Sequence, residues 1–367
     1  MRFAVIGAGV IGRTHAQTIQ NLRPRAELAA VVDIVPERAG KLAEEHGVEA
    51  LTSIEEALAR SDIDAVTIGT PSGVHADGAV AALEAGKHVI VEKPLEIRLD
   101  AARRILEAEK RSDRTVMVVS QHRHDPASLI VHEAVQAGKF GRLTSGNAIM
   151  SWWRSQGYYD SGDWRGTWAL DGGGALMNQG IHTIDLFGWF MGEPVEVSAW
   201  TGCLAHERIE VEDTAVATVR FDSGALGVVH GTTAAYPGLT TRVHVHGDQG
   251  SAVIDHNRLT YFHSAGDSDE ANGNGAGAYG AGGSANQADA VLAAHGYTDK
   301  KADDEPTVAG LTATSHSTQF ENFVDAVENG RPPMVTTADG IRTLALIRGI
   351  YESARLQRPV QIKELTS

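Results

Sequence analysis

Residues 2–12 read Arg2-Phe3-Ala4-Val5-Ile6-Gly7-Ala8-Gly9-Val10-Ile11-Gly12, a β-rich run that breaks directly into a G-x-G-x-x-G turn. A helical pattern follows through about Leu22. Between a strand and a helix the three glycines have separate tasks. Gly7 allows the tight turn, Gly9 lets the main chain approach a pyrophosphate, and Gly12 lets helix and strand pack closely. Val10 and Ile11 complete the turn, and the helix start offers unpaired N–H groups to phosphate. The next strand, 28–32, ends in Asp33, 21 residues after Gly12. A dinucleotide fold places there the acid that hydrogen-bonds the adenine ribose. Its charge repels a 2′-phosphate, which favours NAD. Arg38, one turn on, keeps NADP as the secondary option.

Outward from this turn, helical patterns at 36–46, 54–60, 78–86 and 99–110 alternate with strand patterns at 65–68, 87–91 and 115–119. Such alternation predicts a doubly wound parallel sheet with right-handed crossovers, an α/β Rossmann domain. Ligands of these sheets lie beyond the carboxyl ends of the strands. Two loops there, Thr70-Pro71-Ser72-Gly73-Val74-His75 and Glu92-Lys93-Pro94, are expected to border the cofactor. Thr70, Pro71, His75, Glu92 and Lys93 are the candidate contacts. Partial burial of Lys93 would lower its pKa and make it a proton donor or a clamp on an alcohol oxygen. The alternation stops near residue 121, predicting a dinucleotide-binding domain over 1–121 and a substrate and oligomerisation domain over 122–367.

The second informative stretch is Asp171 to Phe187, DGGGALMNQGIHTIDLF. Three consecutive glycines suit a hinge before a helix rather than a helix interior. On a wheel of about 3.6 residues per turn, Asn178, His182, Asp185 and Trp189 share one narrow polar stripe on an otherwise apolar helix. Buried polar groups need partners, so the stripe is expected to face polar side chains or a ligand, with His182 at the reaction centre. Upstream, 152–168 concentrates Trp, Tyr, Arg and Gln. Aromatic rings stack on the apolar faces of a sugar while Arg and Gln hydrogen-bond its rim. Tyr159, Trp164 and Arg165, with Arg123 from the domain junction, are the candidate ligand contacts.

Short alternating runs between 195 and 254 predict an antiparallel sheet. His230, His244 and His246 lie in it without convincing ligand spacing, and no metal is expected. Residues 264–307, rich in Gly, Ala, Asp and Asn, read as a mobile loop or insertion. Helices are expected at 316–328 and 338–356. The formal charge of −15 lacks the basic footprint of a nucleic-acid binder. No apolar run reaches the roughly 20 residues of a membrane span. With one cysteine, Cys203, and no basic leader, the chain is expected to be cytoplasmic.

These pieces together resemble the Gfo/Idh/MocA oxidoreductases, the glucose–fructose oxidoreductase and inositol dehydrogenase family. The matching segments are GAGVIG at 7–12, TPSGVH at 70–75, AGKHVIVEKPL at 85–95 and GGGALMNQGIHTID at 172–185. The resemblance implies a C-terminal α/β domain with a large, mostly antiparallel open sheet, and a homodimer or homotetramer. It implies hydride transfer between a nicotinamide and a carbon bearing a hydroxyl on a sugar, glycoside or cyclitol, with Lys93 as catalytic lysine and His182 as the proton-handling histidine. Many members carry aspartate where this chain has Asn178. Asparagine can orient a hydroxyl but cannot relay its proton, so Asn178 is read as a substrate-binding residue. The N-Q-G-I-H form looks like a branch that includes oxidation of the 3-hydroxyl of glycosides. Two other functions fit the same residues: a glycoside-cleaving enzyme that retains NAD and oxidises C3 transiently, and a non-catalytic sugar or dinucleotide sensor.

Overall fold

The structure, a computed structural model, describes residues 1–265, 286–297 and 308–366. The chain forms two compact units, each discontinuous in sequence. The first comprises Met1–Gln121, Asp160–Asn178 and Pro306–Ala345; the second comprises His122–Tyr159, Gln179–Glu305 and Leu346–Ser367.

In the first unit, β1 (Arg2–Ile6), β2 (Glu27–Val32), β3 (Glu49–Leu51), β4 (Ala65–Ile68), β5 (His88–Val91) and β6 (Val116–Val118) form a parallel sheet. Its order is β3-β2-β1-β4-β5-β6, which reverses direction between β1 and β4. That reversal opens the crevice in which doubly wound sheets bind ligands. The three-residue β3 was not expected, being too short to show a period. Phe3, Ala4 and Val5 on the central strand are fully buried, as a sheet covered on both faces requires. The helix Val308–Glu328 supplies Phe320 and Phe323, whose rings lie 6.4 and 6.1 Å from that of Phe3. Burying a side chain of this size contributes about 1.5–3 kcal/mol, so this helix is part of the Rossmann core.

The second unit contains β7 (Leu143–Ser151), β8 (Pro194–Gly202), β9 (Thr214–Phe221), β10 (Leu226–Thr232), β11 (Thr241–Gly247), β12 (Gly250–Asp255), β13 (Arg258–Ser264) and β14 (Val360–Gln361). They form one sheet in the order β13-β12-β11-β7-β10-β9-β8-β14. Only the β7–β10 pair is parallel. The helix Ile181–Met191 packs on one face through Phe187, whose ring meets Phe221 edge-on at 5.3 Å. A Cβ on Gly227 would lie 2.4 Å from the Phe187 ring, so only glycine admits the helix this close. The opposite face exposes Trp200, Val216, Leu226 and Val228.

The run after the triple glycine is helical, but it starts as a π turn over Ala175–Gly180 before the α-helix begins at Ile181. A regular wheel therefore does not hold across Asn178, and the single stripe of the sequence reading is corrected. The wider turn changes the angular step between successive side chains. Within the span 264–307, Ala288–Ala294 is a helix rather than a loop. Its ADAVLAA composition is rich in strong helix formers, and Asn286 and Gln287 before it accept the Phe262 and Ser264 amide protons. Residues 266–285 and 298–307, the rest of the expected loop, lie outside the described residues.

Candidate active site

The glycine turn fits a dinucleotide by geometry. Gly7 sits at φ +99°, and a Cβ there would lie 2.6 Å from the Gly69 carbonyl oxygen. A Cβ on Gly12 would lie 1.8 Å from the Gly7 carbonyl oxygen, whereas one on Gly9 would meet nothing within 4 Å. Gly7 and Gly12 thus serve the fold, and Gly9 leaves an open approach to the helix Val10–Asn21. No side chain caps that helix, so its first N–H groups are available to phosphate oxygens.

Asp33 is held by the main chain on both oxygens, accepting from Ala8 N at 2.8 Å and Val35 N at 2.9 Å. A carboxylate has further lone pairs, which suit ribose hydroxyls. Val10 and Ile34 stand 86% and 89% exposed on the flanks of this turn, and Ile11 is half-buried. Exposed aliphatic groups there offer an apolar surface to a ring. Ile34, missed by the sequence reading, is legible only as the residue after the ribose acid. Thr70 Oγ1 is buried and has no partner among the described residues, while Pro71 is exposed.

Two expected cofactor contacts have their side chains engaged within the protein. His75 is buried, with Nδ1 2.8 Å from the Pro94 carbonyl and Nε2 3.0 Å from the Thr70 carbonyl. The ring stands between the two loops within hydrogen-bond distance of a carbonyl from each, so His75 is a strut. Glu92 is also buried; Oε1 lies 3.0 Å from His15 Nε2, and Oε2 accepts the Lys93 amide at 3.0 Å. Burial opposes its ionisation, but His15, His316 and Lys93 outweigh this and hold its acid at about 2. His15, Glu92 and His316 bring their ligand atoms within 4.8 Å of one another. With both Glu92 oxygens already engaged, the trio reads as a buried polar cluster joined to the Lys93 main chain through Glu92.

Lys93, partly buried after β5, donates from Nζ to the Asn178 main-chain carbonyl at 3.1 Å. The Asn178 side chain donates to Asp171 Oδ1 at 2.5 Å, and Gly166 N donates to Asp171 Oδ2 at 2.8 Å. Next to Gly166, Arg165 lies over the Trp164 ring at 4.5 Å, both partly exposed.

In the second unit His182 is partly exposed, and its ring meets that of His122 edge-on at 5.1 Å. His122 Nδ1 in turn lies 2.7 Å from Asp125 Oδ2. The other two members of the stripe are structural. Asp185 forms a two-pronged pair with Arg123 at 2.8 and 2.7 Å, and the guanidinium lies over Trp189 at 5.0 Å. Arg123, expected as a ligand contact, is instead 2% exposed. A buried guanidinium needs its carboxylate partner, which explains its commitment. Tyr159, also expected on the ligand wall, is buried with its hydroxyl 2.8 Å from Thr233 Oγ1. On β11 the His244 and His246 rings lie 5.8 Å apart, and burial lowers the pKa of each.

Comparison with known proteins places these features in a family. Residues 1–120 match the model of the NAD-binding Rossmann fold of this oxidoreductase family, and residues 129–253 match the GFO/IDH/MocA C-terminal domain. The chain is 28% identical to myo-inositol 2-dehydrogenase of Thermotoga maritima, covering 100% of this chain and 99% of that protein. It is 26% identical to scyllo-inositol 2-dehydrogenase (NAD(+)) of Bacillus subtilis, covering 99% and 96%. The crystal structure of the WlbA dehydrogenase from Bordetella pertussis in complex with NADH and UDP-GlcNAcA is similar at a TM-score of 0.82. That match has 30% identity and covers 98% of each chain. With both domain models matched and a dinucleotide turn of the required geometry, the chain belongs to the GFO/IDH/MocA family and is an NAD-dependent oxidoreductase.

Proposed function

We propose that this protein oxidises a secondary hydroxyl on a sugar, glycoside or cyclitol. The observation that carries the reading is the placement of Lys93. Its amide is fixed by ionised Glu92, and its ammonium is held on the Asn178 carbonyl at the carboxyl edge of the Rossmann sheet. NAD, when bound, supplies the nicotinamide carbon that accepts the hydride. The glycine turn and Asp33 would hold its pyrophosphate and ribose. In the direction of oxidation the hydroxyl proton leaves to His182, and the Lys93 ammonium steadies the negative charge developing on oxygen. Asn178, Trp164 and Arg165 bind and orient the ring.

Support for a polyol substrate comes from the two inositol dehydrogenases and from UDP-GlcNAcA in the WlbA complex. Oxidation at the 3-hydroxyl of a glycoside is the finer form of the proposal. The test follows NADH absorbance with myo-inositol, scyllo-inositol, glucose, galactose, xylose, simple β-glucosides and UDP-GlcNAcA, using NAD and NADP in parallel. Turnover of a cyclitol or free sugar supports the broad reading, and turnover confined to glycosides supports 3-oxidation. Glycoside cleavage with retained cofactor and no NADH accumulation would replace both. Lys93→Met should lower kcat by at least about 100-fold, the usual weight of one positioned acid–base group. Near-normal turnover in that variant would remove Lys93 from the mechanism.

A further inference from the structure

Asp171 is a carboxylate that the proposed reaction does not use, yet it is 2% exposed and only one residue from the Lys93 ammonium in the hydrogen-bond network. Burial raises its pKa above the ordinary aspartate value, outweighing the Gly166 amide, the Asn178 side chain and the charges of Lys93 and Arg165, which act to lower it. Those two cations, from the loop after β5 and the segment before the triple glycine, face it together with the Asn178 amide from the π turn.

We propose that Asp171 is the positioning residue for Lys93. Its carboxylate anchors Asn178, whose main-chain carbonyl receives the lysine Nζ, and its negative charge keeps that lysine protonated despite partial burial. Asn178 carries no charge; ionised Glu92 is one countercharge beside Lys93, and Asp171, seven residues before Asn178, adds a second from the other side of the network. Burial alone would lower the pKa of Lys93; an opposite charge nearby raises it. The consequence is a lysine that acts as a cationic clamp on oxygen rather than as a neutral base. Asn178 has its side chain on Asp171 and its carbonyl on Lys93, so it couples orientation to charge.

The inference rests on the reading that Lys93 acts on the alcohol oxygen, but its test needs no substrate. Trace acetylation with acetic anhydride, read at Lys93 by mass spectrometry across a pH series, measures the lysine's protonation directly. In the unaltered protein the labelling midpoint of Lys93 should lie at or above that of exposed Lys139. A midpoint clearly below Lys139 would overturn the proposal without any variant. Asp171→Asn should shift the Lys93 midpoint down by about half a pH unit or more, roughly a threefold gain in labelling below the midpoint. Asp171→Glu should restore it, and Lys139 should not change in either variant. An unshifted midpoint in a folded, NADH-binding Asp171→Asn protein would also overturn the proposal. If instead Lys93→Met turns over normally while the Asp171→Asn shift is present, the catalytic reading fails and the electrostatic coupling stands.

Discussion

Residues of one type take different roles in this chain because burial and partners decide their chemistry. His182 keeps partial exposure and an imidazole neighbour, whereas His124, two residues after His122, is buried with Nε2 unpartnered among the described residues. Burial, with Arg123 assisting and Asp125 opposing, brings His124 from 6.5 to about 4. Its folded pKa lies below its unfolded value, so the unfolded chain binds the extra proton between them. Stability is therefore complete above the unfolded value and is lost as pH falls through this window. At about pH 5 the loss from this one group is ~2 kcal/mol. Thermal unfolding of His124→Leu should show a smaller drop in Tm between about pH 7 and pH 5 than the unaltered protein. An equal drop in both would mean that His124 is not the titrating group.

At the scale of elements, the strand–turn–helix around Gly7 to Gly12 separates folding from binding. Gly9→Ala places its Cβ in open space, so stability should hold. A methyl group at the close-approach position should nevertheless weaken NADH binding by about tenfold or more, which fluorescence titration would read. Gly12→Ala drives a Cβ into the Gly7 carbonyl, so Tm should fall along with affinity. Equal NADH affinity in Gly9→Ala and the unaltered protein would refute the pyrophosphate role. The π turn at Ala175–Gly180 is a second device of this kind. It leaves the helix intact while changing the angular relation of Asn178 to the residues that follow, which a fixed period cannot anticipate.

At the scale of the whole molecule, none of the described helices is long and apolar enough to cross a membrane. The outer face of the second unit's sheet exposes Trp200 at 74% and Leu226 at 59%, with Val216 and Val228 beside them. Exposed apolar side chains grouped in this way fit an interaction surface, and self-association through it is a prediction. The protein should run as a homodimer or homotetramer by light scattering. Val228→Lys with Trp200→Glu should shift it to a smaller species while each unit stays folded. A monomer in the unaltered protein would refute the prediction.

The sequence alone determined the dinucleotide turn, the parallel and antiparallel sheets, the NAD preference and the family. Those features rest on local rules: a glycine fingerprint, a strand or helix period, and an acid at a fixed distance. Tertiary structure decided which polar residues are free to act. Arg123 looked like a ligand contact until Asp185 claimed it, Tyr159 until Thr233 did, and Glu92 until His15 and the Lys93 amide did. Asp171 gained its importance the opposite way, by folding to within one residue of Lys93. Long-range pairing leaves no periodic trace, because a buried charge is constrained by its partner in space and not by its neighbours in the chain.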